Sequence, residues 1–336
     1  MPRMITRLFR PTPYNLRRLA NALRRGETVG VPTETVYGLA ANALDATACQ
    51  AIFRAKKRPS TDPLIVHLAD AKDLTAVGVS NELVAKLAAA FWPGPLTMVV
   101  KKLPCIPDIV TAGFDSVAVR VPAHPLFRKL IRLAGLPLAA PSANPFGYIS
   151  PTTAEHVRAG LNGRIRSILD GGPCEIGVES TIVDVRDPLR PVMLRPGGVP
   201  VAALEEILGH ELKRRTRPVA DDSAAVAPGQ LSRHYSPRTP ITLYRKLSAL
   251  QIAQIPPSEA AIMFDSGNNV VRHRGDNTTY SLSLDGTGKS AASRLFGLLR
   301  ELDQRDFSRL HIEEVPGSDP WSGAVNDRLR RAAARR

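Results

Sequence analysis

The stretch at residues 56–68 reads KKRPSTDPLIVHL. Residues 46–56, which end in its first lysine, have the apolar spacing of a helix, and Pro59 stops that helix. The apolar run at 64–68 then predicts a short buried strand with His67 inside it. A helix, a tight turn and a buried strand in this order are typical of an α/β fold.

Three cations stand where the predicted helix ends: Lys56, Lys57 and Arg58. Cations at this position stabilise a helix by complementing its dipole. Cations held over a cleft can instead bind phosphates, and arginine is suited to bidentate contacts. The residues alone support both interpretations about equally.

Strands and helices alternate on both sides of this stretch. Further strands are predicted at 28–31, 96–101, 117–121, 138–140, 180–185 and 192–195. Further helices are predicted at 15–25, 81–91, 125–134, 152–161 and 201–212. This alternation predicts the α/β class.

The composition changes after residue 212. Residues 213–217 are basic, and 218–228 are rich in Ala, Pro and Asp without periodicity, which indicates a linker. A second apolar rhythm follows, with strands predicted at 241–244 and 260–264 and a helix at 291–302. We therefore predict a first domain at 1–212, a linker at 213–239 and a smaller domain at 240–336. The basic tail at 328–336 is expected to fray.

The chain has 336 residues, enough for about two domains at roughly 100–200 residues each. Hydrophobic residues make up 43% and charged residues 23%, the balance of a folded soluble protein. The apolar runs are too short to span a bilayer, and the start of the chain lacks the pattern of a secretory signal. Three scattered cysteines argue against a disulfide framework and predict small buried side chains in a reducing cytoplasm.

The formal net charge is +14, with most of the excess in the first half of the chain. Excess positive charge favours polyanionic partners such as nucleotides, phosphate or RNA. Solubility alone is the competing explanation.

Three further segments place polar or charged side chains just after predicted strands, where ligands bind in open α/β sheets. They are PTETVYGL at 32–39, PSANP at 141–145 and RPGG at 195–198. The Ser and Asn of PSANP can bind a substrate or build an ordinary turn. Thr33 and Thr35 can line a pocket or cap a helix, with Glu34 favourable at the helix N-terminus.

Other chemistries have little support in the residues. A lone strand histidine such as His67 is typical of a core, and the chain has no His/Cys cluster spaced for a dedicated metal site. DGTGKS at 285–290 resembles the end of a P-loop, but Ser283 replaces the required first glycine, so we predict a turn before the next helix. Ser142 has no histidine near it in sequence to activate it as a nucleophile.

Taken together, these motifs resemble the YrdC-like threonylcarbamoyl-AMP synthase family in its longer, two-domain form. Its Lys-x-Arg and Ser-x-Asn signatures match Lys56/Arg58 and Ser142/Asn144. Other similar segments are PTETVYGL at 32–39, WPGPLT at 92–97, VRVP at 119–122, EST at 179–181, LRPG at 194–197, the linker APGQLSRHYSP at 227–237 and VNDRL at 325–329. The chain departs from the family at Asp62, where Asn is common, and at 230–232 of the linker.

The resemblance implies a twisted, mixed α/β sheet around a large basic cleft, a linker that crosses the cleft as a lid, and a smaller α/β domain. It implies that L-threonine, bicarbonate and ATP, which brings Mg²⁺, give threonylcarbamoyl-AMP and pyrophosphate without a tightly bound cofactor. A separate transferase would move the threonylcarbamoyl group to the adenosine beside the anticodon of tRNA.

The resemblance also implies the site residues. The catalytic residues would be Lys56, Arg58, Ser142 and Asn144. ATP would contact Arg58, Asp62, Ser116, Ser142, Ser150, Arg195 and Tyr235. Threonine would contact Thr35, His67, Arg120, the backbone near Ala140, and Ser180. No residue is implied as a metal ligand.

Two alternatives explain the same features. A module that binds double-stranded RNA or tRNA without catalysis would also carry a strong positive charge. Another adenylate-forming enzyme on this scaffold would take a different amino acid.

Overall fold

The computed structural model describes residues 4–215, 226–229, 234–265, 272–274 and 277–334. The chain forms two compact units, each with its own sheet. The first comprises Met1–Phe146, Ser150–Glu175 and Glu179–Leu231, and the second comprises Gly147–Ile149, Ile176–Val178 and Ser232–Arg336. Of the predicted linker, the described residues 213–215 and 226–229 fall in the first unit and 234–239 in the second.

The first unit is a mixed sheet covered by helices. Its strands are β1 (Arg7–Phe9), β2 (Val29–Val31), β3 (Gly38–Asn42), β4 (Ile65–His67), β5 (Leu96–Lys101), β6 (Ser116–Arg120), β7 (Leu138–Ala139), β8 (Ser167–Leu169), β9 (Thr181–Asp184), β10 (Val192–Arg195) and β11 (Lys213–Arg214). Among the described residues they pair in the order β1-β8-β2-β3-β7-β4-β6-β5-β9-β10-β11. Its helices are α1 (Pro13–Arg24), α2 (Ala46–Lys56), α3 (Glu82–Phe91), α4 (Asp108–Thr111), α5 (Pro125–Ala134), α6 (Ala154–Leu161) and α7 (Val201–Leu208), with a 3-10 turn at Ala71–Ala76.

Local capping sets the ends of α2, which carries the first cation of the candidate site. The Asp45 carboxylate accepts the backbone N–H groups of Thr47 and Ala48 and so satisfies two free donors of the first turn. Lys57 ends the helix in the left-handed conformation at φ 55°, a common helix stop. The chain then turns through 58–64 into β4.

Successive side chains of a strand point to opposite faces of the sheet, so the central strands carry an apolar surface on each face. Val66, Met98 and Val119 belong to the large core that contains residues of α2 and α3. On the opposite face, a smaller apolar cluster contains one residue from each of four adjacent strands, and Ala227 of the linker packs into it. Its strand residues are Ile65, Val99, Ala118 and Ile182. We call this second surface the site face.

The second unit is a smaller α/β unit, as predicted. Its strands are β12 (Ile241–Tyr244), β13 (Glu259–Asp265), β14 (Arg272–Arg274), β15 (Asn277–Ser283) and β16 (Arg309–Glu313). They pair in the order β12-β16-β13-β15-β14, and all these pairs are parallel except β14 with β15. Its helices are α8 (Ala249–Ala253), α9 (Gly288–Leu302) and α10 (Ser322–Ala333). A mixed sheet and a smaller α/β unit confirm the predicted fold class.

Of the two alternatives for Thr33 and Thr35, capping a helix is excluded, because 38–42 form strand β3. Three local expectations were wrong. Helix α7 ends at Leu208 rather than 212, because Gly209 adopts the left-handed conformation at φ 81°. Much of the tail lies in α10, where Arg328 is fully buried. Of the cysteines, Cys49 and Cys174 are buried as expected, but Cys105 is exposed.

Within the part of the chain that the structure describes, the helices are too short or too polar to cross a membrane.

Candidate active site

The site face carries polar side chains beyond both ends of its apolar cluster. Strands β4 and β6 run parallel, with Ile65 opposite Ala118 and His67 opposite Arg120. Because side chains alternate, His67 shares the face of Ile65, and both Ser116 and Arg120 share the face of Ala118. His67 and Arg120 therefore lie together at one end. Ser116 lies at the other end, level with the chain that enters β4.

Lys56 lies at the Ser116 end and is held by backbone oxygens. Its Nζ donates to the carbonyl of Ser142 and to that of Asn144 at 2.6 Å. Burial and the neighbouring Arg58 hold the pKa of Lys56 well below its usual value, while Asp62 opposes this shift. The structure thus brings the Lys-x-Arg and Ser-x-Asn motifs into contact.

Arg58 is fixed by the turn that follows it. Its Nε donates to the carbonyl of Asp62 at 2.9 Å, and its Nη2 donates to the carbonyl of Pro63 at 2.7 Å. The same Nη2 lies 2.9 Å from Oδ2 of Asp62 in a buried ion pair. Burial raises the pKa of Asp62, and the charges of Arg58, Lys56 and Arg195 oppose that rise.

The hydroxyls and the amide predicted to bind ATP have different surroundings. Ser150 Oγ donates to Oε1 of Glu179 at 2.6 Å, and Asn144 Nδ2 donates to the carbonyl of Pro145 at 2.9 Å. Ser116 Oγ is buried without a hydrogen-bond partner among the described residues. Ser142 is only half-buried.

Arg195 connects the two ends of the face. Its Nη2 donates to the carbonyl of Ser180 at 3.0 Å and lies 3.2 Å from Ser180 Oγ. Ser180 Oγ lies 2.7 Å from Oγ1 of Thr97. Arg195 Nη1 also donates to the carbonyl of Pro228, a linker residue, at 3.3 Å. The backbone of Gly229, the next linker residue, acts to lower the pKa of Asp62.

Arg120 is the cation at the opposite end. Its Nε donates to the carbonyl of Gly94 at 3.1 Å, and its Nη1 donates to Oγ1 of Thr35 at 3.0 Å. Its Nη2 lies 2.6 Å from Oε1 of Glu34. Two guanidinium nitrogens thus donate hydrogen bonds, and the third forms the ion pair.

His67 and Ala140 complete this end. His67 Nδ1 lies 3.2 Å from the carbonyl of Ile65, which also accepts the backbone N–H of Ala140 at 2.9 Å. Burial and the charge of Arg120 disfavour the imidazolium and lower the pKa of His67 to about 3. The imidazole is therefore neutral near pH 7.

Glu34 is the residue that the sequence analysis missed. It was interpreted only as a helix-terminal charge, yet it is buried. Burial acts to raise the pKa of Glu34, but the charge of Arg120 and nearby backbone groups outweigh it and hold that pKa below its usual range. Its sequence context was the available clue, since it is the one acidic residue in the apolar stretch 28–44.

Tyr235 belongs to the second unit and is described within it. Its ring is buried, stacks on Phe296 at 5.5 Å between centroids, and lies 5.4 Å from the guanidinium carbon of Arg328. Its backbone is left-handed at φ 64°. The tail arginine that was expected to fray thus packs against a residue predicted to bind ATP.

The P-loop-like segment forms a turn and a helix start, as predicted. Helix α9 begins at Gly288, and Thr287 caps it by accepting the N–H of Ser290. The N–H of Gly288 donates to Oδ2 of Asp319 at 2.7 Å, so a carboxylate of the same unit lies where a phosphate would bind. The described residues contain no group of three or more His, Cys, Asp or Glu side chains placed to hold a metal ion.

Comparison with known proteins gives concordant matches over both units. The family model described as telomere recombination matches residues 21–197. The family model described as threonylcarbamoyl-AMP synthase, C-terminal domain, matches residues 199–334.

Named relatives agree with these models. A threonylcarbamoyl-AMP synthase of Pyrococcus abyssi is 39% identical over 336 residues, covering 96% of this chain and 95% of its own length. A threonylcarbamoyl-AMP synthase of Bacillus subtilis is 47% identical over 231 residues, covering 67% of this chain and 65% of its own length. The crystal structure of P. abyssi Sua5 complexed with L-threonine superposes with a TM-score of 0.86 at 38% identity, covering 98% of this chain and 97% of that chain.

The neutral, buried state of His67 predicts a specific pH dependence of stability. The unfolded chain protonates this imidazole near pH 6.5, whereas the folded chain does so only at about 3. The unfolded state therefore binds more protons in this window, and the folded state loses about 1.4 kcal/mol per pH unit on acidification. Urea unfolding at several pH values should show a shallower decline for His67→Gln than for the wild type. Parallel declines would contradict a neutral buried imidazole.

Proposed function

This chain belongs to the threonylcarbamoyl-AMP synthase family, and from that membership we propose that it condenses L-threonine, bicarbonate and ATP into threonylcarbamoyl-AMP and pyrophosphate. One observation in the site supports this reaction above all. A single sheet face carries cations suited to a triphosphate at one end and an arginine suited to an amino-acid carboxylate at the other.

The reaction needs two bond-forming steps. The amino group of threonine attacks the carbon derived from bicarbonate, with loss of water, and gives a carbamate. A carbamate oxygen then attacks the α-phosphorus of ATP, and the bond to the pyrophosphate oxygen breaks. In-line transfer of this kind depends on positioning and charge stabilisation rather than on a covalent nucleophile.

The phosphate end supplies those charges. We assign Lys56, Arg58 and Arg195 to the triphosphate, with the catalytic work of Lys56 and Arg58 shared by Ser142 and Asn144, which orient the phosphates. Further ATP contacts are proposed for Asp62, Ser116, Ser150 and Tyr235. Magnesium would enter as the counterion of ATP, bound by phosphate oxygens and water.

The opposite end receives threonine. We assign the threonine carboxylate to Arg120, and the remaining polar contacts to Thr35, His67, Ser180 and the backbone near Ala140. A site that hydrogen-bonds the substrate hydroxyl discriminates strongly against an amino acid that lacks it. Residues 1–212 are proposed as the catalytic domain, 213–239 as a linker over a basic cleft and 240–336 as a supporting domain.

Family membership also supports two roles beyond the site. A separate transferase would pass the threonylcarbamoyl group to tRNA, and the chain would act in the cytoplasm beside it. Adding that transferase and tRNA to the purified enzyme should consume the adenylate as it forms. An adenylate that persists unchanged would contradict this route.

Pyrophosphate release is the direct test of the reaction. With MgATP, the wild-type chain should release pyrophosphate only when threonine and bicarbonate are both present. Lys56→Ala should lower kcat by about 10²–10³, as the loss of one charge-stabilising donor does elsewhere. The adjacent Lys57→Ala removes the same charge at an exposed position and should stay near the wild type. An inactive wild type would refute the function, and a fully active Lys56→Ala would refute only the role of that lysine.

The linker contacts predict that residues 226–229 retain the product. Ala227 is fully buried against the apolar cluster of the site face. A charge at this position should lift the segment, so Ala227→Asp should release more adenylate into solution in a single turnover. Leu189→Asp places the same charge on the exposed surface of the same unit and serves as the control. If both variants retain the adenylate equally, the linker does not retain the product.

One surface favours contact with RNA as a second property. Two neighbouring grooves of about 890 and 410 Å³ share Met4, Glu27 and Arg166 in their linings. The arginines of the two grooves are Arg7, Arg18, Arg25, Arg54, Arg164 and Arg166. Glu27 is the one acidic residue among the lining residues of both grooves, and it is paired with Arg25. We propose that these arginines contact RNA phosphates.

Salt-dependent binding of tRNA tests this surface. Arg166→Ala should weaken binding about tenfold and lower the log–log salt slope by about 1, because one phosphate contact is lost. Arg190→Ala removes an equally exposed arginine away from both grooves and should bind like the wild type. If both variants bind tRNA alike, the grooves are not the RNA contact. If the wild type binds no tRNA, the property itself is absent.

A further inference from the structure

Glu34 is a buried carboxylate that the proposed mechanism does not use. The turn that carries it is rigid, because Thr33 Oγ1 accepts the N–H groups of Thr35 and Val36 and lies 2.6 Å from the carbonyl of Val36. The side chain is therefore held against Arg120 by the shape of the backbone. Its distance of 2.6 Å from Nη2 makes a close buried ion pair.

The charges around Arg120 differ from those at the phosphate end. His67 is neutral. Burial also lowers the pKa of His124, the other histidine whose pKa the charge of Glu34 acts to raise. The Arg120 end therefore holds one cation balanced by one carboxylate. Counted formally, the phosphate end holds Lys56, Arg58 and Arg195 against Asp62 and Glu179, which is one more cation than carboxylates, with Arg195 also bonded to Ser180.

This difference matters because one face must receive two substrates. A lone buried arginine binds any anion, including bicarbonate, phosphate or a carboxylic acid. A carboxylate beside that arginine repels a ligand whose net charge is negative. It leaves a zwitterion nearly unaffected, because it attracts the ammonium group as it repels the carboxylate.

We propose that Glu34 is a specificity-determining residue: by neutralising Arg120 it makes the amino-acid end select a zwitterion and reject carboxylates that lack an amino group. It acts on the ligand through the charge of Arg120 and the local field rather than by direct contact. The inference rests on the proposed assignment of Arg120 to the amino-acid carboxylate. It explains why an acidic residue lies inside the PTETVYGL segment.

The matched ligands are L-threonine and 3-hydroxybutyrate with the same configuration at C3. They share the carboxylate and the hydroxyl and differ by the amino group. Calorimetry on the full chain gives the ratio of their dissociation constants. Any misplacement of Arg120 affects both ligands alike, so the ratio reports the charge of Glu34 and not a general loss of structure.

The wild type should prefer threonine by about 100-fold or more. In Glu34→Gln the ratio should fall at least tenfold, mainly because 3-hydroxybutyrate binds more tightly once the repelling charge is gone. Glu34→Asp keeps the charge and should keep most of the preference. Asp184→Asn removes a carboxylate of the same unit that pairs with Arg186 and has no assigned role in the site, and it should leave the ratio unchanged.

The outcomes separate this inference from the proposed function. A wild type that binds both ligands equally, or a Glu34→Gln variant with the wild-type ratio, overturns the role of Glu34. If Glu34→Gln does not fold, Glu34→Ala removes the same charge without adding an amide and gives the same comparison. The pyrophosphate assay on the wild type tests the proposed function independently. An enzyme that is active with threonine but binds threonine and 3-hydroxybutyrate equally disproves only this inference.

Discussion

Buried positive charge is the constraint around which the first unit is built. Lys56, Arg58, Arg120 and Arg195 are each at most 7% exposed. A buried cation without compensation costs several kcal/mol, so each must be paired or surrounded by oxygens. The compensating groups come from turns: carbonyls at 142 and 144, the segment 62–63, Glu34, and the carbonyl at 180. The irregular segments between strands are therefore shaped by the charges that they neutralise.

Because side chains alternate along each strand, the sheet places the polar groups near these turns on a single face. Ser116 and Arg120 lie on the same face of β6, four residues apart, which corresponds to about 13 Å. The apolar cluster between the two ends contains Ala227, so this linker residue packs against the middle of the site face.

Local sequence predicted the parts of the fold that local interactions determine. Helices α2 and α5 have the predicted bounds, because Asp45 caps one and Gly135 ends the other. Strands β1 and β8 were missed, since each has three residues and depends on a partner about 160 residues away. Arg328 was expected in a frayed tail because basic runs are usually solvated, whereas the ring of Tyr235 gives it a buried partner. The motif segments were identified from the residues, the roles of their side chains came from the family resemblance, and the charge balance at Arg120 required the structure.

Charge balance also explains how two anionic groups keep separate places on one surface. The phosphate end has one more cation than carboxylates, since Lys56, Arg58 and Arg195 face Asp62 and Glu179, whereas Arg120 is paired with Glu34. The carbamate must nevertheless approach the phosphate end as a new negative charge. Arg195 bonds both to Ser180 and to Pro228 of the linker. In the proposed reaction, one side chain would therefore couple the position of the linker to the stabilisation of the developing charge.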